Sequence, residues 1–341
     1  MLNTILAPVF VFAIIVIVHE GGHFIMAKLT GMKVEEFAVG FGPKIFSKKR
    51  GETLYSLRCI PLGGYNKIAG MAPGENEDPR AFSNRPVWAR LLVISAGSVF
   101  NILLAFFIFM SIFSVNGLYT FKDEPVVGSV LENSSAHHAG VAKGDIIRTI
   151  NGHKIIKWSD IGPCVSDRAG RVLTVEIESA GQMKKVIVIP RDNGEGRAVM
   201  GITPHMDRKN VSFIEAARLS YDRCAFILAQ IIGGLQQIFT GTSGDVAGPI
   251  GVARMAGTVA EAGITALFTF IALLSLNLGF LNLLPVPLLD GGLFLLTLLE
   301  AVYGKKLPEK SLYYIQALGV TVIAFLFLLA MFNDISSIFK R

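Results

Sequence analysis

His19-Glu20-Gly21-Gly22-His23 continues an apolar run, Ile5 to Val18, with no turn signal between the two. Histidines four apart share one face of a helix, so both imidazoles can hold a single zinc ion, with the intervening glutamate beside the metal's water. That is the chemistry of a zinc hydrolase in an unusual setting, because ionisable groups inside an apolar helix persist only with a partner or a function. The run lacks a basic leader and a small-residue cleavage pattern, which points to a retained transmembrane helix, about Leu2 to Leu29, rather than a signal peptide.

The composition agrees with this setting. Of 341 residues 52% are hydrophobic, and the mean hydropathy is +0.53, more than a soluble domain carries, so a polytopic membrane protein is expected. The net charge of +6 follows from Lys and Arg beside the apolar spans, not from a basic stripe interleaved with aromatics, and no nucleic-acid partner is indicated. Cys59, Cys164 and Cys224 are widely spaced and odd in number, which indicates neither a disulfide framework nor a cysteine metal site. They read as small buried or interfacial hydrophobes.

Between Lys28 and Arg90 eleven lysines and arginines face six acidic residues. A positive loop flanked by spans belongs in the cytoplasm. Val34 to Phe46 and Thr53 to Met71 alternate around Gly40, Gly42, Gly63, Gly64 and Gly70, the pattern of short strands and hairpins, which at membrane depth must be enclosed by protein or water. Leu91 to Val115 is a second span. From Pro125 to about Pro204 the hydropathy drops, with strands expected at Val126 to Leu131, Asp145 to Ile150, Arg171 to Glu178 and Lys184 to Pro190, and a tight turn at Asn151-Gly152. His137 and His138 are neighbours with no ligand-spaced Cys, Asp or Glu nearby, so they read as surface residues. Phe213 to Thr240 is an amphipathic helix, and Gly244 to Gly257 an irregular connector. Ile264 to Leu284 and Leu312 to Phe332 supply the third and fourth spans.

The second anomaly is Asn282-Leu283-Leu284-Pro285-Val286-Pro287-Leu288-Leu289-Asp290-Gly291-Gly292. Its two prolines break the helix, and Asp290 is the only acidic residue between Glu261 and Glu300. The two anomalies answer one another. Asp290 can complete the protein ligands of an ion held by His19 and His23, with a fourth position left for water, and Glu20 can then serve as general base and acid in peptide hydrolysis.

These stretches, together with Pro61-Leu62-Gly63-Gly64-Tyr65 and Ala96-Gly97 with Phe100-Asn101, resemble the site-2 protease family of intramembrane zinc metalloproteases, in its bacterial RseP-type branch. The stretch Ser135 to Asp145, followed by Ile150-Asn151-Gly152, resembles the signature of PDZ domains, which bind peptide ends or segments by strand addition. The resemblance implies a polytopic α-helical membrane protein of about four transmembrane helices with membrane-embedded β-hairpins and one inserted PDZ domain. Its parts are residues 1–118 with the His-Glu helix, 119–206 as the PDZ domain, 207–257 as amphipathic helix and connector, and 258–341 with Asp290 and the last span. It implies Zn²⁺ as cofactor, His19, His23 and Asp290 as ligands, Glu20 as catalytic residue, and Asn282, Gly64 and Pro285 at the substrate. It places the chain in the bacterial inner membrane, with the active site toward the cytoplasm and the PDZ domain outside. Expected partners are the lipid bilayer and single-span membrane proteins trimmed first by another protease, anti-sigma factors or signal-peptide remnants among them. Leu293 and Ser98 depart from the pattern, where relatives often have histidine and proline, and both are expected to bear on packing alone.

Two other classes compete. A membrane scaffold collecting peptide ends on its PDZ unit would have no reason to keep Glu20 and every ligand, and all are present. A transporter also breaks helices near the midplane, but the two halves show no internal repeat.

Overall fold

A computed structural model describes residues 2–71, 78–194, 196–240, 248–304 and 308–339. The chain divides into two compact units, one of Met1–Phe113 with Ser212–Arg341 and one of Ser114–Val211.

The first unit begins with helix α1 (Leu2–Leu29), which carries the histidines, followed by β1 (Val34–Arg50) and β2 (Thr53–Ile68) and then helix α2 (Val87–Asn116). β1 and β2 are longer than the short strands expected, and both are bent. Residues Glu36 to Val39 pair with Leu54 to Leu57 on one side and with Gly64 to Lys67 on the other, while Phe46 to Arg50 pair with Thr53 to Leu57. Two bent strands therefore build a sheet four strands wide, in the order 44–50, 53–58, 34–39, 64–68. The bend in β1 falls at Gly40, with φ of +89° and a Cβ position only 2.8 Å from the Ile60 carbonyl, so a side chain there is excluded by backbone and by conformation alike.

The inserted unit contains β3 (Leu118–Phe121), β4 (Val127–Val130), the short helix α3 (Ser135–His138), β5 (Ile146–Ile150), β6 (His153–Lys154), α4 (Ile161–Val165), β7 (Leu173–Ser179), β8 (Gln182–Val188), β9 (Arg191–Asp192), β10 (Ala198–Val199), β11 (Ile202–Pro204) and β12 (Met206–Lys209). β5 to β8 form an antiparallel sheet of order β6-β5-β7-β8, β11 pairs with β4, and β3 pairs with β12. That last ribbon joins the entry and exit of the unit by backbone hydrogen bonds. Its core gathers Val127, Ile147, Ile150, Leu173, Val175 and Ile177 from facing positions. The Asn151-Gly152 turn has positive φ at both residues, as a two-residue hairpin requires. His137 and His138 are exposed, as expected.

The chain returns to the first unit through α5 (Phe213–Phe239), α6 (Pro249–Glu261), α7 (Ile264–Asn282), α8 (Asp290–Tyr303) and α9 (Glu309–Phe339). The stretch expected to be an irregular connector is helical from Pro249 onward, and its part before Gly248 lies outside the described residues. The helix has a start signal that its glycine content obscures. Gly248 is the N-cap, Pro249 stands at N1, and the carboxylate of Asp334 on α9 accepts the amides of Gly248 at 2.9 Å and Gly251 at 3.0 Å. Of the cysteines, Cys59 is exposed, Cys164 half-buried and Cys224 buried, and all three are free.

Among the described residues three helices are long and apolar enough to cross a membrane, Leu6–Leu29, Val87–Asn116 and Ile264–Asn282. α2 is the element that the others meet. Val93 and Ile94 join Ala27, Val34 and Phe82 in one cluster, against which Leu293 and Phe294 pack, so the Leu293 departure has a packing role. Ala105 and Phe109 join α5 and α7 in another. Arg90 and Glu300 form a largely but not fully buried ion pair of 2.7 Å between α2 and α8, with the guanidinium over the Phe82 ring. Removing Glu300 takes from Arg90 the carboxylate it pairs with and leaves that cation charged in a largely enclosed place. Glu300→Leu is therefore expected to cost about 3 kcal/mol in detergent unfolding measurements, and Arg90→Met with Glu300→Leu to recover most of that loss.

Candidate metal centre

α1 brings His19 and His23 to one face, and the loop from Leu283 to Leu289 delivers Asp290 at the first turn of α8. The Nε2 atoms of the two histidines lie 3.3 Å apart. Each is 3.5 Å from Asp290 Oδ2. Among the described residues this is the one group of three or more His, Cys, Asp or Glu whose ligand atoms converge, all within 4.8 Å. A tetrahedral zinc ion with bonds of about 2.1 Å would set neighbouring ligand atoms about 3.4 Å apart, so the observed separations fit that ion.

The tautomer of His23 fits as well. Its Nδ1 lies 2.8 Å from the carbonyl oxygen of Val93 and must donate to it, which leaves the Nε2 lone pair free to ligate. His19 has an analogous neighbour in Asn101. The Asn101 amide nitrogen is placed 3.4 Å from His19 Nδ1, and the buried Asn101 Oδ1 has no partner. Turning the amide over lets Oδ1 accept from His19 Nδ1–H, which leaves His19 Nε2 free for the ion.

Helix approach at the site is set by missing side chains. A Cβ on Gly97 would fall 2.3 Å from His23 Nε2 and 2.7 Å from His19 Cε1. On the other side of the contact a Cβ on Gly22 would fall 2.7 Å from the Ala96 carbonyl oxygen.

Glu20 is held from the sheet. The Asn66 side-chain amide donates to Glu20 Oε2 at 2.8 Å and to the Glu20 backbone carbonyl at 2.6 Å. Gly64 stands next to it, with its Cβ position 3.2 Å from Glu20 Cγ. Asn282 Nδ2 lies 3.4 Å from His19 Nε2, against the proposed ion position. Of the three residues expected at the substrate, Asn282 and Gly64 are thus brought to the centre, and Pro285 lies exposed in the loop before α8.

Two residues were missed by sequence reasoning. Ser98, expected to affect packing alone, is fully buried and donates through Oγ to Asp290 Oδ2 at 3.3 Å. Its signal was a hydroxyl one residue after the glycine of an apolar helix. Asn66 followed the quoted Gly63-Gly64-Tyr65 and carried no signal beyond being a polar residue in an alternating strand.

A histidine pair and a carboxylate converging among helices that can cross a membrane, with a glutamate tethered beside them, define a membrane-embedded metallopeptidase. The comparisons with known proteins agree: residues 7–328 match peptidase family M50, and the chain belongs to that family. A protein of Clostridium acetobutylicum bearing a provisional zinc metalloprotease name is 33% identical over 334 residues, 97% of either chain. The regulator of sigma-W protease RasP of Bacillus subtilis is 28% identical over 420 aligned positions, 99% of either chain. Among solved structures, a PDZ domain of an SdrC-like protein from Listeria monocytogenes covers 26% of this chain and 93% of its own at 18% identity, with a TM-score of 0.22. The protein is a zinc-dependent intramembrane metalloendopeptidase.

Gly97→Ala is expected to lower zinc affinity at least about tenfold by displacing both imidazoles, and Asn101→Ala by about 10- to 100-fold by releasing His19. Competition with a chromogenic chelator reads both.

Proposed function

We propose that His19, His23 and Asp290 hold the zinc ion, that Glu20 is the catalytic acid and base, and that the substrate is the transmembrane segment of another membrane protein. The observation carrying this reading is the convergence of three ligand atoms from α1 and α8 beside a glutamate held against the end of a sheet. Bound there, zinc supplies Lewis acidity, lowering the pKa of water and polarising a carbonyl group.

The chain's own groups do the rest. Glu20 Oε1 has no protein donor among the described residues, while Oε2 is occupied by Asn66, so Oε1 is the atom that takes the water's proton. It then delivers that proton to the amide nitrogen as the peptide C–N bond breaks. Asn66 fixes the carboxylate's direction, which retains a near-attack geometry between carboxylate, water and scissile carbonyl. Asn282, beside His19, is placed to hold the substrate backbone or the developing oxyanion.

Helical peptide bonds are shielded by their own hydrogen bonds, so a transmembrane substrate has to unwind. Among the described residues the segment Gly64 to Ile68 has a partner strand on one side only, and it lies over Glu20, so an unwound segment can add to it as a further strand. By this reading α9 is the fourth span. The basic stretch between α1 and α2 puts the centre toward the cytoplasm and the inserted PDZ-like unit outside. There that unit obstructs bulky substrates until another protease has trimmed them. Membrane-anchored regulators, anti-sigma factors among them, are the proposed substrate class, in keeping with the name of the Bacillus subtilis relative as regulator of sigma-W protease.

Glu20→Gln is expected to abolish cleavage of a model transmembrane substrate while retaining full zinc content, because it removes the proton carrier and no ligand. Turnover by that variant would sink the assignment. The same variant, expressed in the native membrane, should accumulate uncut substrates that mass spectrometry can identify.

A further inference from the structure

The end of the sheet farthest in sequence from its glycine bends carries chemistry that peptide hydrolysis does not use. Around the Gly51-Glu52 turn lies a surface cavity of about 490 Å³ lined by Lys28, Arg50, Glu52, Tyr55 and Arg80. Glu52 accepts from Lys28 Nζ at 2.7 Å through one oxygen and from Arg80 Nη2 at 2.7 Å through the other. It is held below the usual carboxylate range, chiefly by the Lys28 ammonium and further by Arg80, so it stays ionised and fixes the two cations on either side of the opening. A second acid near Arg80 among the described residues, Asp78, is paired with Lys33 at 2.9 Å. The Arg50 guanidinium has no partner among the described residues. Among the described residues that line the cavity, the cations Lys28, Arg50 and Arg80 stand against the single carboxylate of Glu52.

The cavity's place along the helices says what supplies the balancing negative charge. Lys28 stands in the last turn of α1, where the membrane-crossing stretch Leu6–Leu29 ends. Ile25, three residues before Lys28, is its neighbour on the helix surface, and Leu29, four after Ile25, continues the row from Ile25; they are 42% and 73% exposed, so an apolar stripe runs alongside the cation. Trp88, 64% exposed, begins α2, whose start packs against the end of α1 through Ala27 and Ala89. An exposed tryptophan at a span's end marks the headgroup level of a bilayer.

A cationic cavity at that level, reached by an apolar helix face, matches a molecule with an anionic phosphate on an acyl body. We infer that this cavity is a headgroup site for an anionic phospholipid, with the phosphate between Lys28, Arg50 and Arg80 and the acyl chains along Ile25 and Leu29. A phosphate oxygen accepts hydrogen bonds from guanidinium and ammonium groups together, and Arg50 supplies donors that no group among the described residues uses. The site is independent of the proposed catalytic assignment, since none of its side chains touches His19, Glu20, His23 or Asp290.

The test uses the purified full chain, stripped of lipid in neutral detergent and exposed to phosphatidylglycerol or to phosphatidylcholine of the same acyl chains, with retained lipid counted by native mass spectrometry. Phosphatidylglycerol should be retained preferentially. Arg50→Gln should reduce that retention about fivefold, and Arg50→Gln with Arg80→Gln about 25-fold, from the worth of one basic residue at an anionic surface. Arg50→Gln removes no contact of the fold, and unchanged zinc content reports that each variant is intact. Arg171→Gln, an exposed arginine of the inserted unit, should change nothing. Equal retention of the two lipids, unchanged retention in the double variant, or an equal loss in Arg171→Gln would overturn the site. Displacement of the lipid by equimolar inorganic phosphate would make it a site for free phosphate and overturn the lipid assignment.

Discussion

The imidazoles of His19 and His23 lie against the bare Cα of Gly97, and the arrangement of the membrane unit depends on that contact. In a bilayer, helices gain nothing from leaving lipid for one another by the hydrophobic effect, because acyl chains are as apolar as leucine. Close approach through small residues, with the packing and hydrogen bonds that it permits, has to hold them. α2 shows the device on two sides. Gly22 and Gly97 admit α1, while Ser275 on α7 donates to the Asn101 carbonyl at 2.8 Å and Gly279 rests on the Ser98 carbonyl. Arg90 then ties α8 to the same helix through Glu300. Histidines and aspartate, 270 residues apart in the chain, are placed relative to one another because both are placed relative to α2.

A site so enclosed has to satisfy its polar atoms without bulk water, since each unpaired one costs free energy. The partners come largely from α2 and the sheet. The Val93 carbonyl accepts from His23 Nδ1–H, Asn101 faces His19, Ser98 donates to Asp290 and Asn66 to Glu20. Every group with a proposed part in catalysis is therefore oriented by a neighbour that has none. That arrangement keeps one defined nitrogen or oxygen of each side chain available, and it ties the chemistry to the packing that positions those neighbours.

The residues that could be read from the sequence were those that break a rule. His19, Glu20, His23 and Asp290 are conspicuous because charge is rare in apolar spans, and the Asn151-Gly152 turn because two residues alone specify it. Ser98 and Asn66 break no rule, as a serine in a helix and an asparagine in a strand are both ordinary, and their roles arise only from contacts 192 and 46 residues away. The four-strand width of the sheet was hidden for a related reason. Alternation reports that a segment is extended, but the double pairing of Glu36 to Val39 depends on where Gly40 turns the chain. At α6 the glycines outweighed a cap signal whose decisive partner, Asp334, lies 86 residues from Gly248. Local patterns identified elements, and long-range partners decided what they do.

The two outer edges of that sheet differ in a way that assigns them different work. An unpaired edge is open to any extended chain, and proteins commonly close such edges with lysine. The edge from Lys44 to Arg50 carries Lys44, Lys48, Lys49 and Arg50, so a strand docking there would bury or crowd four cations. Gly64 to Ile68 has a single lysine, Lys67, paired with Glu35 at 2.8 Å, and it lies over Glu20. With its glycine, that edge offers backbone hydrogen bonds with little side-chain obstruction. Lys67 apart, charge is withheld from the edge where a strand would meet the proposed catalytic glutamate and concentrated on the edge where it would not, so the charge pattern of the sheet favours the edge on which the proposed strand addition takes place.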